Sequence, residues 1–242
     1  MIWIGAIAVA GFLIGVTGIG GVLVVPVLHE LRDVDFRAAI AAASLAFGLP
    51  GVLALWRMRS ERGALSRDAL LLIGSTIPGA LFGGLVVYGA DVRWLLGGLG
   101  VATLLSGVLG LRGRDAARSA PPMPAALACT AGCAVGFGSA VTGTGGPVIL
   151  WPVMLAARQE LRRSLLIAQA VQLPIAVCAS AIHLAAGGID LRLSAGVGAI
   201  LLIGVLAGQT AAAFLSASLL RGAVCGLLIA TGAFYLYRAA LS

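Results

Sequence analysis

Thr17-Gly18-Ile19-Gly20-Gly21 and Thr142-Gly143-Thr144-Gly145-Gly146 are the same motif written twice, 125 positions apart. Each copy lies near the middle of a long apolar run without a charged residue. Glycine in a helix interior is less favourable than alanine by about 1 kcal/mol, so a cluster of glycines predicts that each run breaks there. In hydrocarbon a broken backbone is tolerated only where protein buries it or where it lines a cavity. The two stretches are therefore expected to face one another and to form a substrate site.

The surroundings of the motif set the fold class. The chain has 242 residues, 60% of them hydrophobic and 10% charged, with a mean hydropathy of +1.09. A soluble domain carries about 25% charged residues, so the chain reads as an all-α polytopic membrane protein in a lipid bilayer. Charge-free runs cover 1–28, 38–56, 69–90, 94–111, 119–157, 164–189, 193–220 and 222–237. A spanning helix needs about 20 apolar residues, which gives eight segments. The net charge of +7 comes from sixteen basic residues, all arginine, scattered in the short connections. That pattern sets topology, and without an aromatic-studded basic surface it excludes nucleic acid as a partner.

The offset of 125 persists well beyond the motif. It superposes Gly11-Phe12 on Gly136-Phe137, Arg37 on Arg162, Gly63 on Gly188, Gly79 on Gly204, Gly83 on Gly208 and Gly107 on Gly232. The chain thus divides into a first membrane repeat over 1–111, a proline-rich polar linker over 112–124, and a second repeat over 125–242. Each repeat has four segments and is led by the glycine-broken one. Interrupted segments at matching positions of two repeats point to a transporter's binding site.

Arginine placement bears on whether the leading segments cross the membrane or re-enter. If all eight segments cross, the arginines divide nine against seven between the two faces. If the first and fifth turn back on themselves, Arg57, Arg59, Arg62, Arg67, Arg112, Arg114, Arg118, Arg158, Arg162, Arg163 and Arg221 share one face. Five then remain on the other: Arg32, Arg37, Arg93, Arg192 and Arg238. The positive-inside rule favours the second arrangement. It makes the halves inverted repeats, with both termini outside; broken helices that do cross are the alternative.

No Asp or Glu falls within a predicted span, although intramembrane carboxylates mark proton relays and cation paths. Phosphate-loop, zinc-protease and nucleophile-elbow motifs are absent, and the four cysteines and two histidines compose no metal site. The sequence therefore predicts no catalytic residue, no metal and no cofactor. His29 and His183 read as interfacial side chains, with proton coupling through His183 as the weaker reading.

What remains at membrane depth is neutral and rich in donors. The candidate substrate residues are Thr17, Gly18, Gly20 and Gly21 at the first tip, and Thr142, Gly143, Thr144, Gly145 and Gly146 at the second, with Ser139 nearby. A helix restarting after Gly21 or Gly146 aims its unpaired N–H groups and positive dipole end at the tip, and consecutive N–H groups in a glycine turn form an anion nest. Gln169 and Gln172, three apart on one predicted helix face, and Ser44, the repeat counterpart of Gln169, complete the set. Glycine that merely lets helices pack closely and glutamines that merely bridge helices are the competing readings. Pro50 and Pro174 are expected to kink the second and sixth segments.

Segments 12–28 and 137–154, each glycine-interrupted and each closing on a proline (Pro26 and Pro152), resemble the repeated signature of the TauE/SafE family. Its members are bacterial and archaeal inner-membrane permeases associated with export of sulfite and organosulfonates. The resemblance extends over the two four-segment halves and Gly187-Gly188-Ile189-Asp190 after the sixth segment. It implies a secondary transporter, an exporter of small sulfur-containing anions, with the glycine tips holding the substrate. Where other tips continue in glycine, this chain has Val22 and Pro147. A passive anion channel and, further off, an intramembrane enzyme are the alternatives, and homodimer formation is left open.

Overall fold

The computed structural model describes residues 2–60, 65–112, 122–157, 159, 161–214 and 217–241; most of the linker at 112–124, and Gly63, lie outside the described residues. Before the linker lie α1 (Ile2–Thr17), α2 (Val24–Arg32), α3 (Phe36–Ala46), α4 (Gly48–Ser60), α5 (Arg67–Gly89) and α6 (Val92–Arg112). After it lie α7 (Ala125–Thr142), α8 (Pro147–Ala156), α9 (Leu161–Ala170), α10 (Gln172–Ala185), α11 (Leu191–Ala211) and α12 (Ala217–Leu241). No strand occurs among the described residues.

The acidic residues between the apolar runs start helices. Asp35 accepts from the backbone N–H groups of Arg37 and Ala38, Asp190 from those of Arg192 and Leu193, and Asp91 from that of Arg93. Each satisfies donors that a helix N-terminus leaves orphaned. Asp68 differs from the sequence expectation. It lies inside the first turn of α5, buried, where it pairs with Arg163 of α9 at 2.8 Å and accepts from Ser66 and from the Met123 N–H.

The second and sixth segments are each split in two. α3 ends at Ala46 and α9 at Ala170, four residues before Pro50 and Pro174. Proline has no N–H to offer the carbonyl four residues back, and its ring crowds that carbonyl. One residue, Phe47 or Val171, joins the pieces. The sequence reading placed Gln169 and Gln172 on one helix face; the break corrects this, since Gln169 belongs to α9 and Gln172 opens α10.

Six stretches among the described residues are long and apolar enough to span a membrane, rather than the eight expected: 36–60 (α3 with α4), 67–89, 92–111, 125–142, 163–185 (α9 with α10) and 191–211. α1 has only 16 residues, about 24 Å at 1.5 Å per residue, and the chain doubles back after it. A Cβ on Gly20 would collide with the Ala10 carbonyl and sit 2.8 Å from the Ile14 nitrogen. Likewise α8 folds back on α7, bringing the Ile149 side chain against Gly138.

Repeat-matched glycines lie where helices cross. Cβ atoms on Gly204 and Gly208 would run into the carbonyl oxygens of Ala8 and Phe12, and one on Gly11 into that of Leu201, so α1 runs parallel to α11 in close contact. Gly136 faces the Thr76 carbonyl and Gly83 that of Phe137, so α7 runs parallel to α5 in the same manner. Gly107 and Gly232 perform this service where α6 and α12 pass antiparallel. For these positions the packing reading of glycine holds.

The ends of α5 fix where the broken helices begin. Arg37, in the first turn of α3, donates to the Ala90 carbonyl just past the C-terminus of α5 at 2.8 Å. Arg163, in the first turn of α9, grips Asp68 at the N-terminus. The 23 residues of α5 separate those ends by about 34 Å. α3–α4 and α9–α10 pass antiparallel near their breaks, where Gly51 abuts Leu173 and Gly48 faces Ala176.

Gly136→Leu is expected to destabilise the protein by at least 1–3 kcal/mol, the range for overpacking, because its side chain would enter the α5 backbone. It lowers the thermal midpoint in detergent. Gly74→Leu, on the open face of α5 with nothing within 4 Å, leaves that midpoint within the scatter of surface substitutions, about 0.5 kcal/mol.

Candidate functional site

The two glycine tips meet. A Cβ on Gly21 would lie 2.6 Å from the Thr144 carbonyl oxygen and 2.8 Å from Cζ of Phe47, and a Cβ on Gly145 would lie 3.0 Å from the same ring. The Phe47 side chain, at the break between α3 and α4, thus stands between the tips. Gly18 lies against Leu165 of α9 and Gly143 against Ile40 of α3, two neighbours that are themselves 125 positions apart.

Backbone geometry explains the glycines here. Gly18, Gly143, Gly145 and Gly146 have φ of +74°, +63°, +77° and +106°, in the left-handed region that glycine enters without steric cost. After Gly146 the chain restarts at once as α8, with Pro147 at its first position, where a missing N–H does no harm. After Gly20 it passes through a short 3₁₀ turn, Gly21–Leu23, before α2.

The threonine hydroxyls bond within their own tips. Thr17 Oγ1 bonds to the Leu13 carbonyl at 2.7 Å and accepts from the Ile19 N–H at 3.1 Å. Thr142 Oγ1 bonds to the Gly138 carbonyl at 2.6 Å and to the Thr144 hydroxyl at 3.0 Å. Leu13 and Gly138 are repeat counterparts, so threonine recurs as a device that closes a helix C-terminus. The donors left over are backbone groups: the N–H groups of Gly20, Thr144, Gly145 and Gly146 have no partner among the described residues.

The two glutamines part company. Gln169 Nε2 donates to the Ile14 carbonyl at 3.0 Å, and its Oε1 faces Gln209 Nε2 at 3.4 Å; it clamps α9 to α1 and α11. Gln172 is 0% exposed, and neither its Nε2 nor its Oε1 has a hydrogen-bond partner. Ser139 Oγ is likewise buried without a partner and stands 3.6 Å from a Cβ built on Gly146. That same Cβ would touch Val171, the residue before Gln172. Ser44 is buried on α3. Tips, Ser139 and the α10 N-terminus therefore converge on one buried region of unpaired donors.

A sequence model of the family described as Sulfite exporter TauE/SafE matches residues 3–235, nearly the whole chain. The chain belongs to the TauE/SafE family. No curated protein and no solved structure matches it. Membership makes it a membrane transporter of the sulfite-exporter type. In this TauE/SafE protein, Phe47 is the tip residue that sequence reading passed over. Two signals marked it: it lies three residues before Pro50, and it is the repeat counterpart of Gln172.

A buried polar group without a partner costs about 1–3 kcal/mol. Gln172→Leu, of similar size, is therefore expected to raise the thermal midpoint of the substrate-free protein while removing the shift produced by sulfite. An unchanged sulfite-induced shift would remove Gln172 from the site.

Proposed function

We propose that the protein is a secondary transporter that exports small sulfur-containing anions, sulfite or an organosulfonate, across the bacterial inner membrane by alternating access. The substrate sits near the midplane, between the glycine tips of two inverted repeats (1–111 and 125–242), each led by a re-entrant hairpin. One observation carries this reading: the Gln172 amide is wholly buried and unpaired, and the residue before it, Val171, packs against Gly146 in a loop whose own N–H groups lack partners among the described residues. Native proteins rarely leave such groups unmatched, and a bound oxyanion matches the donors at once. Backbone N–H groups, an amide and a serine hydroxyl hold an anion without a fixed counter-charge, so that it can leave again.

Inversion is supported by the opposite ends of α5 at which α3 and α9 begin and by their antiparallel crossing. A two-fold axis in the membrane plane exchanges α3–α4 with α9–α10, and α1 on α11 with α7 on α5. It also gathers eleven arginines on one face. With that face in the cytoplasm, the membrane potential itself drives an anion outward by about 2.3 kcal/mol per charge per 100 mV. Export then requires no coupling ion.

Two experiments test the proposal. In proteoliposomes, flux of radiolabelled sulfite is expected to saturate, to show exchange, and to accelerate under an imposed potential negative on the sulfite-loaded side. Conductance at channel rates without saturation would replace the carrier with a channel. In a background with the four native cysteines removed, Arg59→Cys and Arg192→Cys are expected to react with impermeant thiol reagents from opposite faces. Reaction from the same face would overturn the inversion.

A further inference from the structure

The unpaired polar atoms do not stop at the central site. Among the buried side-chain atoms without a partner are Ser180 Oγ and His183 Nε2, on the same helix as Gln172. Gln172, Ser180 and His183 are 0%, 7% and 0% exposed. At 100° per residue, positions 172, 176, 180 and 183 fall within a sector of about 80°. The 11 residues from Gln172 to His183 rise about 16 Å, half the thickness of a hydrocarbon core of about 30 Å. The row thus starts at the central break and ends at the membrane surface where α5 ends.

At that surface His183 Nδ1 meets the Tyr88 hydroxyl at 2.9 Å. With Tyr88 donating, the neutral imidazole carries its proton on Nε2, the unpaired atom. Arg37, fixed to the Ala90 carbonyl two residues beyond Tyr88, has a buried Nε–H that is also unpaired. From the centre outward the row therefore offers an amide, a hydroxyl, an imidazole N–H and a guanidinium. All of these donate, and only Gln172 Oε1 is an obligate acceptor.

The repeat supplies an internal control. The positions 125 residues earlier, Phe47, Gly51, Leu55 and Met58, carry no polar side chain. The fold therefore does not require polar groups on this face, and their presence on α10 calls for its own cause.

We infer that this face of α10 is the outer half of the anion's path. It is a lane of donors from Gln172 past Ala176 and Ser180 to a last station for an oxyanion between His183 and Arg37. The inference rests on the transport reading and assigns residues to its release step. Unpaired donors at intervals along the helix let an anion shed one contact as it gains the next, without a deep well on the way out.

Cysteine scanning tests the lane without any substrate. In the cysteine-free background, Ala176→Cys, Ser180→Cys and Val177→Cys are treated with an anionic, membrane-impermeant maleimide from the face that carries Arg192. The labelling buffer is sulfite-free, since sulfite itself adds to maleimides, whereas the thioether formed on the protein survives the later flux assay. Val177 is 60% exposed and lies about 100° around α10 from the middle of the row. Modification at 176 and 180 is expected to be at least tenfold faster than at 177, and sulfite flux through the modified 180 variant to fall at least tenfold from its unmodified level. Reactivity at 180 no greater than at 177, or full flux after modification, would overturn the lane. Absence of sulfite flux in the unsubstituted protein would instead overturn the assigned cargo, with the labelling pattern still deciding the lane.

Discussion

A backbone N–H or C=O left unpaired in hydrocarbon costs several kcal/mol, so non-helical chain at membrane depth must be enclosed by protein. This constraint governs where the interruptions lie. The chain breaks at Thr17–Gly21, at Phe47, at Thr142–Gly146 and at Val171, and the residues at these breaks are buried. They are also brought together. Gly21 meets Thr144, Phe47 meets Gly21 and Gly145, and Val171 meets Gly146. Four local weaknesses that would each be costly alone become one shared interior. Phe47 seals part of it, while the backbone donors of the glycine turns stay unpaired beside Ser139.

The repeat separates architecture from function. Elements that must be the same in both halves are the same: small residues where α1 lies on α11 and α7 on α5, proline three residues after each break, and threonine closing each leading helix. The elements that differ include the side chains at the breaks. At the first break the side chain is an apolar ring, Phe47; at the second it is an unpaired amide, Gln172. The face of α10 that carries Gln172, Ser180 and His183 is polar where its counterpart on α4 is apolar. At the two ends of α5 the neighbours differ as well, an Asp68–Arg163 ion pair at one and the Tyr88–His183 contact at the other.

Much of the architecture could be read from the residues alone. Proline and glycine announce breaks through backbone chemistry that no tertiary context overrides, and a constant offset of 125 is visible without a structure. Family membership followed from the same punctuation. The span count was less legible, because an apolar run of 28 residues does not reveal that it turns back at Gly18. Side-chain roles were the least legible. Nothing in the spacing showed that the hydroxyls of Thr17 and Thr142 bond to the carbonyls of Leu13 and Gly138 in their own helices. Gln169 and Gln172 looked alike at three-residue spacing, and only the break at Val171, with the Ile14 carbonyl reaching one and not the other, distinguishes them. Asp68 lay one residue outside an apolar run and entered the first turn of α5, because Arg163, 95 positions later, neutralises it there. Such partners are distant in sequence, so composition and spacing carry no trace of them.

The central claim is a location for the anion, and anomalous diffraction locates one directly. Selenite is the heavier counterpart of sulfite, with the same pyramidal oxyanion shape. Crystals soaked with it and measured at the selenium edge should show one anomalous peak per chain. The account predicts that peak within hydrogen-bond reach of the Gly145 and Gly146 N–H groups and the Gln172 amide. A peak away from both glycine tips, with none between them, would contradict it.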